Sequence, residues 1–258
     1  MLYMINNKQI TPTEKLSPKE DFFSKEMSTM MAGFAILLMM CHHLFEFPIW
    51  LDNAVGWRTS LGYIGKASVE ILSVTGGICV QVFALTSGYA LMMNTKAYST
   101  WKKRFTRLFK FLLAYWVVNV LFLVIGFLNG DTLPGIKELA NNLIGLETGP
   151  HKHWVNVPFA WYVCYYIEFI LLTPILIWGF SSDKKVLDCT MALSCIIIVY
   201  TCQKIPLAAA YYLYPLMSTV LGIIIAKYGL FNKLHRLITG RLHSVLLVVA
   251  IASILIIR

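Results

Sequence analysis

Long stretches without a charged residue alternate along this chain with short basic clusters. No Asp, Glu, Lys or Arg occurs in 27–45, 71–95, 111–130 or 205–226. Each is close to the ~20 residues that carry an α-helix across ~30 Å of hydrocarbon. Two further runs fit spans: 159–180, interrupted by Glu168, and 187–202, which is short. A seventh, 242–257, stops at Arg258 and is shorter than a comfortable crossing. The pattern predicts an all-α fold, a polytopic bundle of about seven transmembrane helices. The first is expected near 28–50, the second near 71–94 and the third near 107–128. A longer segment, 129–157, then separates them from four more. Inside it, Ile136, Leu139, Leu143 and Leu146 recur at helical spacing with polar residues between them. That spacing suits a short amphipathic helix lying at the outer membrane surface, broken by Gly149-Pro150.

Composition agrees. Hydrophobic residues are 58% of the chain and charged ones 14%, against roughly 45–50% and about 25% in soluble domains. The placement of Lys and Arg gives an orientation with the N-terminus in the cytoplasm. The inner side then holds Lys8, Lys15, Lys19, Lys25, the cluster from Lys96 to Lys110, Lys184, Lys185, Lys227, Lys233, Arg236 and Arg241. Only Arg58, Lys66, Lys137, Lys152 and Lys204 fall outside. The net charge of +9 is therefore a topological bias facing anionic lipid headgroups, and nucleic acid is not expected as a partner. Residues 1–26 are mixed in charge and precede no small-residue cleavage site, so they read as a cytoplasmic tail before a retained helix. The membrane domain is 27–258. The six cysteines all lie in apolar runs without C-x-x-C spacing, and no metal site is expected.

Ionisable residues inside spans are the candidates for chemistry. His42 and His43 lie in the first run, with Glu46 four and three positions on, so either imidazole can share a helix face with that carboxylate. A carboxylate fixes the tautomer of a histidine and raises its basicity, as a general base for a hydroxyl requires. The alternative is a histidine packed between helices on a backbone carbonyl. Arg104 and Arg107 stand three apart in the basic cluster, where paired guanidinium forks suit phosphate and simple lipid contact suits them equally. Gly76, Gly77 and Gly88, with Thr86 and Ser87, allow close helix approach. Trp161 and Glu168 are seven apart on one face of the fourth long span. Glu168, apolar on both sides, is expected to meet a cavity or a partner.

Four segments then fall into a recognisable order: GFAILLMMCHHLF, VFALTSGYALM, RFTRLFKFLLAYW and AWYVCYYIEFILLTPIL. Across about 27–180 the chain resembles the acyltransferase-3 family, integral-membrane O-acyltransferases that acylate cell-surface sugars. The resemblance implies about ten transmembrane helices, acyl-CoA as co-substrate rather than a permanently bound cofactor, an essential histidine in the first helix and an arginine pair engaging the donor. Carried over by position, these are His43, with His42 beside it, and Arg104 with Arg107. The family's basic residue just before the first-helix glycine is replaced here by Ala32, and the chain is expected to be truncated at its C-terminal side.

The leading expectation is thus transfer of an acyl group, acetyl in the first instance, from acyl-CoA to a hydroxyl of a cell-envelope glycan or its lipid-linked precursor. His43 acts as base and Glu46 orients it. Arg104 and Arg107 hold the donor, and Ser87, Trp161 and Glu168 contribute to substrate binding. Two other readings stand beside it. One is a proton-coupled transporter using His42, His43, Glu46 and Glu168 as a relay; the other is an inactive, truncated family member.

Overall fold

In a computed structural model of the chain, the described residues are 23–46, 71, 75–130, 132, 134–145, 161–202 and 213–238, without the side chains of 44–46, 161 and 236–238. They form eight α-helices and one short 3-10 turn. These are α1 (Lys25–Glu46), α2 (Cys79–Met93), the 3-10 turn Thr95–Tyr98, α3 (Trp101–Leu128), α4 (Ile136–Leu143), α5 (Trp161–Phe180), α6 (Lys185–Cys202), α7 (Leu216–Tyr228) and α8 (Leu230–Ile238). No strand occurs among the described residues. Trp101–Leu128, Tyr162–Phe180 and Lys185–Cys202 are long and apolar enough to cross a membrane, and α2 and α7 are shorter apolar helices. The fold is a helical membrane bundle. Its surface carries large apolar side chains such as Phe105, Leu113, Val117, Ile175 and Ile197, as a surface facing lipid does. The first part of the expected 205–226 span, the 242–257 run and the Gly149-Pro150 break lie outside the described residues.

The centre of the bundle is α2 packed on α7, with α5 and α6 around them. Two glycines make that contact close. A Cβ at Gly88 would overlap the backbone carbonyl of Thr219, and one at Gly222 would overlap that of Leu85. Small residues bring membrane helices together in this way because apolar burial gives little drive between helices already in lipid. The close approach also brings polar groups within reach. Ser218 donates to Gln81 Oε1 at 2.5 Å, Thr219 donates to the Ala84 carbonyl at 3.2 Å, and Thr219 shares a hydrogen bond with the Tyr165 hydroxyl. Tyr165, Phe169, Ile170, Leu91 and Ile223 fill the core alongside.

Three boundaries differ from the sequence expectation, each for a local reason. The second helix starts at Cys79 rather than 71, after a turn at 77–78. There Gly76 sits so close to α1 that a Cβ would come within 2.5 Å of the Leu38 carbonyl. The third helix starts at Trp101, not 107: Thr100 is extended and its hydroxyl accepts from Lys103 N, an N-cap that draws the basic cluster into the helix. The amphipathic helix ends at Leu143, because Gly145 adopts a φ of 72° and its N–H closes back on the Asn142 carbonyl.

On α4 and just after it, Ile136, Leu143 and Ile144 are exposed, as side chains facing lipid are, Lys137 is exposed as well, and Asn142 is buried. Tyr115 donates to the Asn142 carbonyl at 2.6 Å, and Trp116 donates to the Leu143 carbonyl at 2.9 Å. These donors stand 13 and 12 residues before Leu128, so the C-terminal end of α4 lies roughly 18–20 Å back along α3. The segment after α3 folds back beside it, and two carbonyls at the helix end accept from side chains of α3, that of Asn142 in addition to the Gly145 N–H.

Candidate active site

The helix-1 histidines sit where α1 meets the segment entering α2. His42 and His43 are both half-buried, with ring centroids 5.1 Å apart. Gly76 makes room for them: a Cβ at that position would come within 2.8 Å of both the N and the Cβ of His42. The backbone of the pair is therefore fixed by a contact that only glycine permits. Glu46 closes α1, but its side chain lies outside the described residues, as does that of Trp161, the first residue of α5.

The arginine pair is held differently for each member. Arg104 is 6% exposed, and its guanidinium lies 4.2 Å from the centroid of the Trp101 ring. Its Nε has no hydrogen-bond partner among the described residues. Arg107 is exposed and lies 4.7 Å from the Tyr98 ring. Stacking engages the face of a guanidinium and leaves its edge donors available. Burial pushes the Tyr98 hydroxyl above its ordinary value, and the Arg107 charge acts against that shift. Tyr98 is thus a neutral donor at physiological pH. Both arginines lie in the first two turns of α3, where the unpaired N–H groups add positive potential to Lys102 and Lys103. The only ion pair seen among the described residues is elsewhere, between Asp188 and Lys227.

Further polar groups sit on α5 and α7. Tyr165 meets Thr219, and Cys164 lies 3.9 Å from Glu168 Oε1. The other carboxylate oxygen of Glu168 is buried and has no hydrogen-bond partner among the described residues. Ser87 and Glu168 are both half-buried. The histidine and arginine groups are on different packing interfaces: α1 packs on α2, whereas α3 packs on α5 and the 3-10 turn.

A family model described as an acyltransferase domain, that of acyltransferase-3, matches residues 31–258. The chain belongs to the acyltransferase-3 family. No curated protein and no solved structure matches it. Membership makes this a membrane protein of an acyltransferase family, and the matched region includes His42, His43, Arg104 and Arg107.

Sequence reasoning passed over three groups. Trp101 and Tyr98 cradle the arginines, and their only sequence signal is an aromatic beside each guanidinium at helical or turn spacing. Asp188, 3% exposed, binds Lys227 Nζ through Oδ1 at 2.7 Å and Oδ2 at 2.6 Å, and accepts from Tyr228 at 2.5 Å. Lys227 also donates to the Ser182 carbonyl. A lone acid in an apolar run was the available signal. With its charge and hydrogen bonds satisfied, this cluster ties the turn after α5, α6 and α7 together. The third is Asn119, buried in the otherwise lipid-facing half of α3.

Proposed function

We propose that the chain transfers an acyl group, acetyl in the simplest case, from acyl-CoA to a hydroxyl of a cell-envelope glycan or its lipid-linked precursor. The observation that carries this reading is Arg104: a buried guanidinium whose Nε has no partner among the described residues, at the cationic start of a helix. A buried cation without a counter-ion is unfavourable unless a ligand brings one. The diphosphate of a CoA ester supplies it, and Arg107 adds a second fork at the mouth.

His43 is the base that takes the acceptor hydroxyl proton as the oxygen attacks the thioester carbonyl. The C–S bond breaks and CoA leaves as the thiol after protonation. His42 stands beside it, and Glu46 orients the imidazole. With the N-terminus cytoplasmic, the arginines lie on the inner side. His43, sixteen residues past Met27, is then about 24 Å along α1. The pantetheine arm spans that gap, giving a donor from inside and an acceptor from outside. Ser87, Trp161 and Glu168 line the route. General-base assistance contributes ~10²–10⁴-fold, and positioning supplies much of the rest.

The test is transfer of label from acetyl-CoA to envelope glycan in membranes carrying the protein. His43→Ala is expected to lower the rate by at least about 10²-fold while leaving donor binding intact. Full activity in that variant removes His43 as the base.

A further inference from the structure

We infer that α8 is an in-plane anchor for an anionic membrane leaflet, and that Phe231 passes this anchoring on to the start of α1. The inference is independent of the reaction proposed above.

The sequence makes α8 a surface helix. Gly229 has a φ of 58°, a left-handed cap that ends α7 before the next helix begins. The nine residues of α8 reach about 13 Å, too short to cross hydrocarbon. By position, Leu230, Phe231, Leu234, Leu237 and Ile238 fall on one side of the helix, and Asn232, Lys233, His235 and Arg236 on the other. Leu230 is 38% and Leu234 49% exposed, so the bundle does not use up the apolar side. Lys233 is exposed as well. An apolar strip beside a basic one fits the boundary between acyl chains and headgroups.

Charge selects the lipid. No Asp or Glu occurs from 189 to 258. Neither α7, packed against α8, nor α2, which reaches it through Tyr89, contains a carboxylate. At this end α1 has Glu26, directly after Lys25. Lys227 is bound to Asp188, and Lys233 belongs to no ion pair among the described residues. Lys233, with Arg236 three positions on, thus presents charge that an anionic leaflet neutralises and a zwitterionic one does not.

The link to α1 is a cluster of three rings from three segments. Phe231 lies 5.0 Å from Phe23 and 5.7 Å from Tyr89, and Phe23 lies 4.6 Å from Tyr89. Phe23 is 7% exposed. The next residue, Ser24, caps α1: its hydroxyl accepts from Met27 N at 3.2 Å, and its carbonyl accepts from Ser28 N at 2.9 Å. Holding Phe23 therefore holds the first turn of α1, the helix that carries His43. A leaflet that keeps α8 in place keeps that turn in place.

The test is hydrogen–deuterium exchange of the full chain in vesicles of phosphatidylcholine, with and without added phosphatidylglycerol. The anionic lipid should slow exchange across 230–238 by about fivefold for each basic residue near the surface. It should slow the Met27 and Ser28 amides with it, and high salt should remove the difference. Lys233→Gln combined with Arg236→Gln should abolish the lipid dependence while leaving exchange in phosphatidylcholine unchanged. Phe231→Ala, or Phe23→Ala should the first disturb α8, should keep the protection of α8 and lose that of Met27 and Ser28. Equal exchange in the two lipids overturns the anchor, as does a lipid dependence that survives the double substitution. Protection of Met27 and Ser28 that survives loss of the ring contact overturns the coupling.

Discussion

Replacing Arg104 by Met should weaken donor binding while leaving the empty protein as stable as before, or more so. The guanidinium is 6% exposed, and its visible compensation is the Trp101 ring at 4.2 Å. A cation–π contact contributes about 2 kcal/mol when desolvated. Burial of an ion costs several kcal/mol even after relaxation. Methionine keeps much of the apolar stem and removes the charge, so the unliganded variant should gain up to ~2 kcal/mol, or about 4–8 °C in midpoint for a chain of this size. With donor present the order reverses. Charge-assisted hydrogen bonds contribute about 1.5–3 kcal/mol, so the loss in affinity is about 10- to 150-fold. The assay is thermal unfolding in detergent with and without acetyl-CoA. At a donor concentration near 100 times the parent Kd, the parent gains about 2.7 kcal/mol and the variant about 1.4 or less. A variant that loses ~3–5 kcal/mol when empty, yet keeps the parent's response to donor, would mean that Arg104 serves a structural partner. The anion-site reading would then be wrong.

Two further perturbations test the scaffold. Gly88→Ala puts a Cβ into the backbone of Thr219, forcing α2 and α7 apart at a cost of about 1–3 kcal/mol, measured by unfolding in detergent. Gly33→Ala, where nothing lies within 4 Å, should instead be neutral or stabilise by up to ~1 kcal/mol; equal effects at both sites would contradict the close contact. Lys227→Met strands Asp188 at 3% exposure and should destabilise by about 3–5 kcal/mol. Adding Asp188→Leu should recover most of that loss, since the pair then disappears together, and a double variant as unstable as the single would show that the cluster's other hydrogen bonds dominate.

The chain's own pattern was enough to establish a helical membrane protein, because hydrocarbon forces every spanning backbone group into a helix and charge-free runs of the right length mark where. Its four ordered segments also reached the family, and His43 and the arginine pair are what that resemblance implies. The lengths of the runs did not reveal where helices begin. The Thr100 cap and the Gly76 contact depend on hydrogen bonds and on the neighbouring helix, and hydropathy is blind to both. Nor could periodicity say which side of α4 faces inward. Ile136, Leu139 and Leu143 form an apolar stripe whether the helix lies on a membrane or in it; only the neighbouring Tyr115 and Trp116 decide that Asn142 is the buried residue. The same holds for Arg104 and Arg107, equivalent as letters three apart. Rotation of α3 against its neighbours buries one and exposes the other, a difference that two letters three apart do not carry.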